Sequence, residues 1–285
     1  MIVRLSGGLG NQFFQYAFGR AYEEKNGERL DLDTWSFYRD KLRNYGLDNY
    51  NIKKGKKRFW RRVFCNIVWE LKTHIGHTAW LERLAKMECE KEVFLMQDLG
   101  AKDAYVIGFW QNVNYFDDYA DVLKKELTYK GDLTDVQKNL IADMKKEQSV
   151  AMHIRRADYL TASCKKIYAD VDKVYYLTAL EYIRKLSGEL KVYIFSDDIE
   201  WCKQEFADLE NCIFVDNTIS ATQYTDLEIM RSCKHFIIAN STFSWWGAYL
   251  AEYENKIIVA PKRWLVNDVS NQRIIDALAK DYILI

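Results

Sequence analysis

Proline is almost absent from this sequence, since Pro261 is the only one in 285 residues. No proline-rich linker therefore marks a domain boundary. Six cysteines are present, but none forms a C-x-x-C pair, and several lie in apolar stretches. We expect free, mostly buried thiols and a reducing compartment.

Long apolar runs and a signal-peptide pattern are also missing. No run is long enough to span a bilayer, and residues 2–6, IVRLS, already have the pattern of a strand. Together with the free thiols, these features predict a cytoplasmic protein. Lys+Arg and Asp+Glu balance at 41 each, so the charge gives no reason to expect nucleic acid as a partner.

One segment departs from this charge balance. Residues 53–62, KKGKKRFWRR, contain seven basic residues, and an amphipathic helical pattern with Trp60, Phe64 and Ile67 on one side follows. We favour a solvated loop leading into an ordinary helix, with a peripheral contact at the inner face of a membrane as the alternative. Anionic lipid attracts each basic residue by only about 1 kcal/mol, so the segment would assist membrane binding rather than anchor the protein.

The second half of the chain alternates regularly between strand-like and helix-like patterns. The predicted strands are 149–154, 191–196, 212–216, 235–240 and 256–261. The predicted helices are about 173–187, 198–208, 221–233, 243–254 and 271–280. Asp172 and Ser220 occupy predicted N-cap positions. Five β-α units with apolar, β-branched strands favour a doubly wound parallel sheet.

The first half is less regular. Its clearest part is a β-α-β unit with strands at 2–6 and 29–33 and a helix at 11–25. A further strand is predicted at 105–110, a helix near 114–127, and a capping box at Thr134-x-x-Gln137 opens a helix near 135–147. The sequence thus predicts an α/β protein with two domains. They are an N-terminal domain, 1–132, with an irregular helical insertion at about 34–100, and a C-terminal Rossmann-like domain, 133–285.

Three polar clusters close predicted strands of the second half. They are His153-Ile154-Arg155-Arg156, Ser196-Asp197-Asp198 and Asn240-Ser241-Thr242. Ligands of open α/β sheets bind outside the carboxyl ends of the strands, so three such clusters together predict one binding site.

The residue types in these clusters indicate a guanine nucleotide. Arg155 shares a strand face with His153, so we expect its guanidinium to be the primary phosphate ligand. Arg156 either reaches the same anion or pairs with Asp158 and braces the loop. The Asp197 carboxylate matches the adjacent N1–H and N2–H₂ donors of guanine, whereas Asp198 is expected to cap the following helix. Helix capping alone is the alternative role of the Ser-Asp-Asp cluster.

Two further segments complete the candidate site. Ser241, Thr242 and Ser244 begin a helix, where hydroxyls and backbone N–H groups can hold phosphate. Trp245 either stacks on a sugar or packs in the core. The turn at 6–12, SGGLGNQ, lets the backbone approach a ligand closely but is not a P-loop. The Asp31-Leu32-Asp33 triplet has a D-x-D form that arises easily by chance, and we expect no metal site.

Four of these segments together resemble the α-1,2-fucosyltransferases of glycosyltransferase family 11. They are GGLGNQFFQYA (7–17), HIRRADY (153–159), SDD (196–198) and NSTFSWWGAYL (240–250). Their order and spacing match from residue 2 to about residue 260. Ala157 stands where the family usually has glycine, and residues 34–100 match poorly, which leaves the acceptor undefined.

The resemblance implies a GT-B-like fold of two Rossmann-like domains and inverting transfer from GDP-fucose to the 2-hydroxyl of a terminal β-galactoside. It implies no cofactor and no required metal, with a galactose-containing glycan as the partner, in the building of bacterial surface polysaccharide. Arg155 and Arg156 would hold the diphosphate, and Asp197 with His153 would contact the guanine. The remaining donor contacts would be Gly8, Gly10, Asn11, Gln12, Asn240, Ser241, Thr242 and Ser244.

The catalytic base and the acceptor contacts are less defined. The candidate bases are Asp158, His153, Asp31 and Asp33, and the candidate acceptor contacts are Asp31, Asp33 and Trp245. Two alternative functions remain at this point. One is a GT-B transferase that uses a different nucleotide sugar, and the other is a non-catalytic glycan-binding protein, suggested by nine tryptophans and nineteen tyrosines.

Overall fold

The computed structural model of the chain describes residues 1–55, 58–76 and 78–285, and for Asp158 it describes the backbone alone. The chain divides into two compact units, residues 1–127 and residues 128–285. Each unit contains its own parallel β-sheet.

The first unit contains a four-stranded sheet. Its elements are β1 (Ile2–Arg4), α1 (Leu9–Asn26), β2 (Asp31–Asp33), α2 (Phe59–Ile75), α3 (Ala79–Leu84), β3 (Met87–Cys89), β4 (Tyr105–Ile107) and α4 (Ala120–Glu126). The strand order is β2-β1-β4-β3, and all three pairings are parallel. Short 3₁₀ turns lie at Trp35–Tyr38, Leu47–Asn49, Val113–Tyr115 and Asp117–Tyr119.

The second unit contains a six-stranded sheet with helices between its strands. Its elements are α5 (Asp135–Lys146), β5 (Ser149–Ile154), α6 (Lys173–Ser187), β6 (Lys191–Ser196), α7 (Ile199–Glu205), β7 (Cys212–Phe214), α8 (Gln223–Met230), β8 (His235–Ile237), α9 (Thr242–Leu250), β9 (Ile258–Ala260), α10 (Asp268–Leu278) and β10 (Ile283–Leu284). The order β10-β9-β8-β5-β6-β7 is parallel throughout and matches the Rossmann arrangement, with the strand order reversing between β5 and β8. The predicted doubly wound sheet is therefore confirmed.

The helix starts of this unit mostly follow their sequence signals. Thr134 and Gln137 form the predicted capping box of α5, and Asp172 accepts a hydrogen bond from the Tyr175 N–H at the start of α6. The N-cap predicted at Ser220 is wrong. Thr222 caps α8 instead, because its hydroxyl accepts from a backbone N–H in the first turn of that helix.

The basic segment 53–62 includes residues 56 and 57, which lie outside the described residues. Its described cations are directed toward acids of the same unit. The pairs are Lys53–Glu23, Lys54–Asp48, Arg58–Asp103, Arg61–Asp103 and Arg62–Asp31. Every helix in the described part of the chain is too short or too polar to cross a membrane. The peripheral membrane contact stays a prediction.

Candidate functional site

The three polar clusters of the second unit lie at the carboxyl ends of three adjacent strands. Ile154 of β5 pairs with Ser196 of β6, and Met152 of β5 pairs with Ile237 of β8. The residues that follow these strands therefore emerge at the same edge of the sheet. This edge includes the point between β5 and β8 where the strand order reverses, and ligands of such sheets bind at this point.

Asp197 links the ends of β5 and β6. Its Oδ2 lies 3.0 Å from Nη1 of Arg155. Its Oδ1 accepts hydrogen bonds from the backbone N–H groups of Arg156, at 2.8 Å, and Ala157, at 3.2 Å. The predicted phosphate ligand and the predicted guanine ligand are thus direct neighbours, and both side chains keep about a fifth of their surface exposed.

Arg156 braces the loop through contacts that differ from the predicted ones. Its Nε lies 3.0 Å from Oδ2 of Asp198, and its guanidinium lies 3.9 Å from the centre of the Trp201 ring. Asp198 occupies the N-cap position of α7, but its side chain makes no capping hydrogen bond. The expected capping bond of Asp198 is therefore wrong. The carboxylate pairs with Arg156, whereas the side chain of Asp158, the partner expected for Arg156, lies outside the described residues.

His153 lies beneath this edge and is 4% exposed. Its ring centre is 5.5 Å from that of Phe243, and among the described residues Nδ1 has no hydrogen-bond partner. Burial, followed by the nearby Arg155 charge, lowers the pKa of His153 to about 3. The ring is therefore neutral at physiological pH, where it can donate one hydrogen bond and accept one. The low pKa makes it a poor general base.

The start of α9, where a phosphate cradle is predicted, lies at the same strand-end edge. Ser241 is the N-cap of α9 and accepts a hydrogen bond from the Phe243 N–H at 3.3 Å, so the first turn of this helix starts at the strand-end edge. The side chains of Asn240 and Ser244, predicted to contact the donor, make hydrogen bonds within the protein instead. The Asn240 amide donates to two backbone carbonyls, and the Ser244 hydroxyl is fully buried and also donates to backbone carbonyls.

Trp245 is a core residue rather than a sugar-stacking one. It is 1% exposed, and its indole N–H donates to the carbonyl of Leu278 at 2.7 Å. Its ring stacks on Tyr249 with centroids 4.8 Å apart. The acceptor contact predicted for Trp245 is wrong, because neither face of the indole reaches the surface.

The glycine-rich turn of the first unit joins β1 to α1. Gly7 has φ +77°, and a Cβ there would lie 2.8 Å from Nδ2 of Asn11. A Cβ at Gly8 would meet nothing within 4 Å, and Gly10 lies buried in the first turn of α1. Oδ1 of Asn11 accepts a hydrogen bond from Gln111 at 2.8 Å.

Gln12 holds this turn in place instead of facing a ligand. Its amide nitrogen donates to the carbonyls of Gly7 and Asn44, at 3.0 and 2.9 Å. Its amide oxygen accepts from the Gly46 N–H at 2.9 Å, and the residue is 1% exposed. The donor-sugar contact predicted for Gln12 is therefore corrected to a positioning role.

Asp31 and Asp33 are also held by internal hydrogen bonds, and both are buried. Oδ2 of Asp33 accepts from the Asn66 amide at 2.6 Å and the Tyr105 hydroxyl at 2.7 Å. Oδ2 of Asp31 accepts from the Arg58 N–H at 2.8 Å. These bonds hold both carboxylates rigidly, and they make Asp33 a poor candidate for the base.

Sequence reasoning missed two residues of the strand-end edge. Trp201 supports the Arg156 guanidinium, and its spacing of three residues from Asp198 on one helical turn was a usable signal. Tyr159 donates to the carbonyl of Asn240 at 2.9 Å and lies 5.8 Å below the Arg155 guanidinium. Within the described ranges, no group of three or more histidine, cysteine, aspartate or glutamate side chains is arranged to hold a metal ion.

Comparison with known proteins identifies the family to which the chain belongs. A sequence model of glycosyl transferase family 11 matches residues 70–283. An alpha-1,2-colitosyltransferase of Escherichia coli is 32% identical over 283 residues, covering 95% of this chain and 94% of that protein. The O-antigen biosynthesis glycosyltransferase WbnK of Escherichia coli is 31% identical over 297 residues, covering 96% and 97%. The human galactoside alpha-(1,2)-fucosyltransferase 1 is 24% identical over 153 residues, covering 50% of this chain and 42% of that protein.

Among solved structures, the fucosyltransferase NodZ from Bradyrhizobium is similar to this chain with a TM-score of 0.50 and 11% sequence identity. The match covers 88% of this chain and 92% of that chain, and it supports the predicted GT-B-like α/β fold. The family match covers three quarters of the chain, and the two bacterial relatives cover nearly all of it. The protein therefore belongs to glycosyltransferase family 11 and is a glycosyltransferase.

Proposed function

We propose that this protein transfers L-fucose, with inversion, from GDP-β-L-fucose to the 2-hydroxyl of a terminal β-galactoside. The observation that carries this proposal is the position of Arg155, Asp197 and the start of α9 at one edge of the Rossmann sheet. The names of the relatives support it, because the α-1,2 linkage recurs in the colitosyltransferase and in the galactoside fucosyltransferase.

In this proposal, Asp197 binds the guanine and Arg155 binds the diphosphate. Negative charge develops on the β-phosphate as GDP leaves. The Arg155 guanidinium and the backbone N–H groups at the start of α9 stabilise this charge, as preorganised donors do in other transferases. With these donors in place, the leaving group needs no metal ion, and activity is expected to persist in a chelator.

Positive charge develops at the anomeric carbon while the acceptor hydroxyl attacks from the opposite face. A carboxylate or an imidazole is expected to take the proton of that hydroxyl. His153 is a weak base because of its low pKa, and Asp33 is held by internal hydrogen bonds. Asp158 and Asp31 are therefore the candidate bases to test, by the substitutions Asp158→Asn and Asp31→Asn.

A second donor has specific support. The colitosyltransferase matches nearly the whole chain at 32% identity. Colitose is 3-deoxy-L-fucose, so a GDP-colitose donor would share the nucleotide and the methyl group with GDP-fucose and would lack the 3-hydroxyl of the sugar. The contacts of Asp197 and Arg155 would serve both donors equally, and the choice depends on whether the site binds the 3-hydroxyl of the sugar.

Transfer assays test these proposals directly. The purified protein is incubated with GDP-fucose, GDP-colitose, GDP-mannose or UDP-galactose and a panel of β-galactosides, with and without EDTA, and NMR gives the product linkage. An α-1,2-fucosyl product supports the proposal. A strong preference for GDP-colitose would show that colitose, rather than fucose, is the sugar transferred. Transfer from the UDP-sugar alone, or glycan binding without GDP affinity, contradicts it.

A further inference from the structure

A cavity of about 820 Å³ lies within the first unit, at the edge of the four-stranded sheet formed by β2. Its walls come from β2 with the following 3₁₀ turn, from the segment 45–55 and from the first turn of α2. Cavities of roughly 300–1,000 Å³ are the usual size of small-molecule sites. The donor contacts proposed at the ends of β5, β6 and β8 belong to the other unit, and none of those residues lines this cavity.

The wall of the cavity is rich in aromatic side chains. Trp35, Tyr38, Tyr45 and Phe59 line it. Trp35 is 39% exposed and Tyr38 is 84% exposed, and their ring centres lie 6.0 Å apart. Such side chains combine a flat apolar face with a polar edge, which suits the C–H face and the hydroxyls of a pyranose ring.

The charged residues of the wall favour a neutral ligand with many hydroxyls. Three carboxylates, Asp31, Asp33 and Asp48, face two cations, Lys54 and Arg62. A phosphate or a nucleotide would meet more negative charge than positive. Sugar hydroxyls, in contrast, can donate to carboxylates and accept from the cations.

The cavity is held by the same contacts that hold the glycine-rich turn. The Ser36 hydroxyl, next to Trp35, donates to the carbonyl of Leu5 at the end of β1. The backbone N–H of Trp35 donates to Asp33 at 2.9 Å. The Gln12 amide bonds to the residues on both sides of Tyr45. The aromatic wall is thus preorganised beside the carboxyl end of β1.

A second cavity, of about 480 Å³, continues along α2. It shares Trp35 and Val63 with the first cavity, and Ile67 and Glu70 are among its other wall residues. Trp35 therefore borders both cavities, which together are larger than a single sugar.

We propose that the first cavity binds the terminal sugar of an acceptor oligosaccharide, with Trp35 and Tyr38 as its stacking platform, and that the second cavity binds the preceding sugar units. The inference that the cavities bind a saccharide stands on their walls alone. Only the statement that this saccharide is the acceptor rests on the proposed function. The inference extends that function, because it makes the enzyme selective for oligosaccharides over single sugars.

The test compares Trp35→Ala and Tyr38→Ala with the control Trp60→Ala. Trp60 is 80% exposed in the first turn of α2, the helix that borders both cavities, and it lies outside the described walls of both. Binding of methyl β-galactoside and of a galactose-terminated tetrasaccharide is measured by saturation-transfer NMR, and kinetics are measured with donor and acceptor varied separately. Tyr38 is so exposed that its replacement should leave folding intact. Tyr38→Ala therefore still tests the proposal if Trp35→Ala fails to fold.

We expect the wild type to bind the tetrasaccharide more tightly than the methyl galactoside. Loss of either platform ring should weaken tetrasaccharide binding and raise the acceptor KM at least about tenfold, as expected for a lost stacking contact. The donor KM and the rate of donor hydrolysis should stay unchanged, as should every property of Trp60→Ala. Unchanged glycan binding in both platform variants would overturn the inference. Glycan binding is measured without donor. A loss of glycan binding in the platform variants therefore supports the inference even if the wild type transfers neither fucose nor colitose.

Discussion

Arg155 and Asp197 directly follow two adjacent strands and pair with each other at 3.0 Å. The same carboxylate accepts two backbone N–H groups, those of Arg156 and Ala157. A carboxylate offers about four acceptor positions, so at most one is left for another donor. Guanine would bring at least two N–H donors to Asp197. Guanine binding should therefore displace Arg155 from this pair and leave its guanidinium available for the diphosphate.

Replacing Arg155 should abolish transfer without unfolding the protein. We expect Arg155→Ala to lower kcat/KM by about a hundredfold to a thousandfold, in line with the loss of a donor that stabilises transition-state charge. Arg155→Lys should also be badly impaired, because a point charge does not replace a planar fork. Steady-state kinetics and circular dichroism provide the measurement. Arg263→Ala, which breaks an exposed pair with Asp268, is the matched control, and near-normal activity of Arg155→Ala would refute the assigned role.

Replacing Asp197 should remove the preference for guanine. The amide of Asp197→Asn offers one acceptor oxygen and places an NH₂ group opposite the guanine donors. We expect the affinity for GDP to fall by about tenfold to a hundredfold, the range for one or two lost charge-assisted hydrogen bonds, while the weak affinity for UDP changes little. Calorimetry with the two nucleotides measures both. An unchanged ratio of GDP to UDP affinity would mean that another group reads the base.

The carboxyl-end site could be predicted because its strands are buried on both faces. Residues 149–154 and 191–196 are nearly continuous apolar runs, and the structure has strands with these same bounds. Polar residues that directly follow such runs must emerge at one edge of a parallel sheet. The position of Arg155 beside Asp197 follows from this reasoning alone.

The direction of individual side chains could not be predicted. Asn240 and Ser244 have the residue types of a phosphate cradle, yet their polar groups satisfy buried carbonyls. Residues on almost every side of α9 are buried, so its sequence has no polar face. Without such a face, the sequence does not show whether the Trp245 ring is buried or exposed. β3 was missed because Met87–Cys89 is a half-buried strand at the sheet edge with charged neighbours, and its pattern has no apolar run.

Replacing Arg156 should affect stability more than chemistry. Its contacts with Asp198 and the Trp201 ring brace the loop. We expect Arg156→Ala to lower the free energy of unfolding by about 1–2 kcal/mol, the range of a partly buried cation–π contact, and to retain more activity than Arg155→Ala. Trp201→Ala should reproduce the loss of stability, and Trp201→Phe should restore most of it. Urea unfolding measures the stability. An activity loss equal to that of Arg155→Ala would instead make Arg156 a second phosphate ligand.

His153 should make the protein less stable in mild acid. Its pKa is about 3 in the folded state, where burial and the Arg155 charge disfavour the charged ring. In the unfolded chain, the pKa of a histidine is about 6.5. Below that pH the unfolded chain takes up a proton that the folded chain does not, so the free energy of unfolding falls as the pH falls from about 6.5 toward 3. One such group contributes at most about 1.4 kcal/mol per pH unit.

Urea unfolding at several pH values between 7 and 4 tests this prediction. His153→Gln should reduce the slope of unfolding free energy against pH by up to about 1.4 kcal/mol per unit. His235, whose pKa is also lowered, first by burial and then by Lys234, contributes in the same direction and should preserve part of the slope. Equal slopes for the variant and the wild type would show that His153 titrates normally in the folded protein.

The two glycines of the first turn should respond differently to alanine. Gly7→Ala forces a side chain onto φ +77° and against Asn11, so we expect it to lower the free energy of unfolding by at least about 1–2 kcal/mol. Gly8 has φ −71° and ψ 172°, and its added Cβ would meet no atom of the protein within 4 Å. Alanine is a poorer N-cap residue than glycine, so we expect Gly8→Ala to lower the melting temperature slightly, and much less than Gly7→Ala does. If the donor packs against this turn, as the family resemblance implies for Gly8, the same Cβ should lower kcat/KM by about tenfold or more. Thermal melting and transfer kinetics on both variants separate the two effects, and full activity in Gly8→Ala would place the substrate elsewhere.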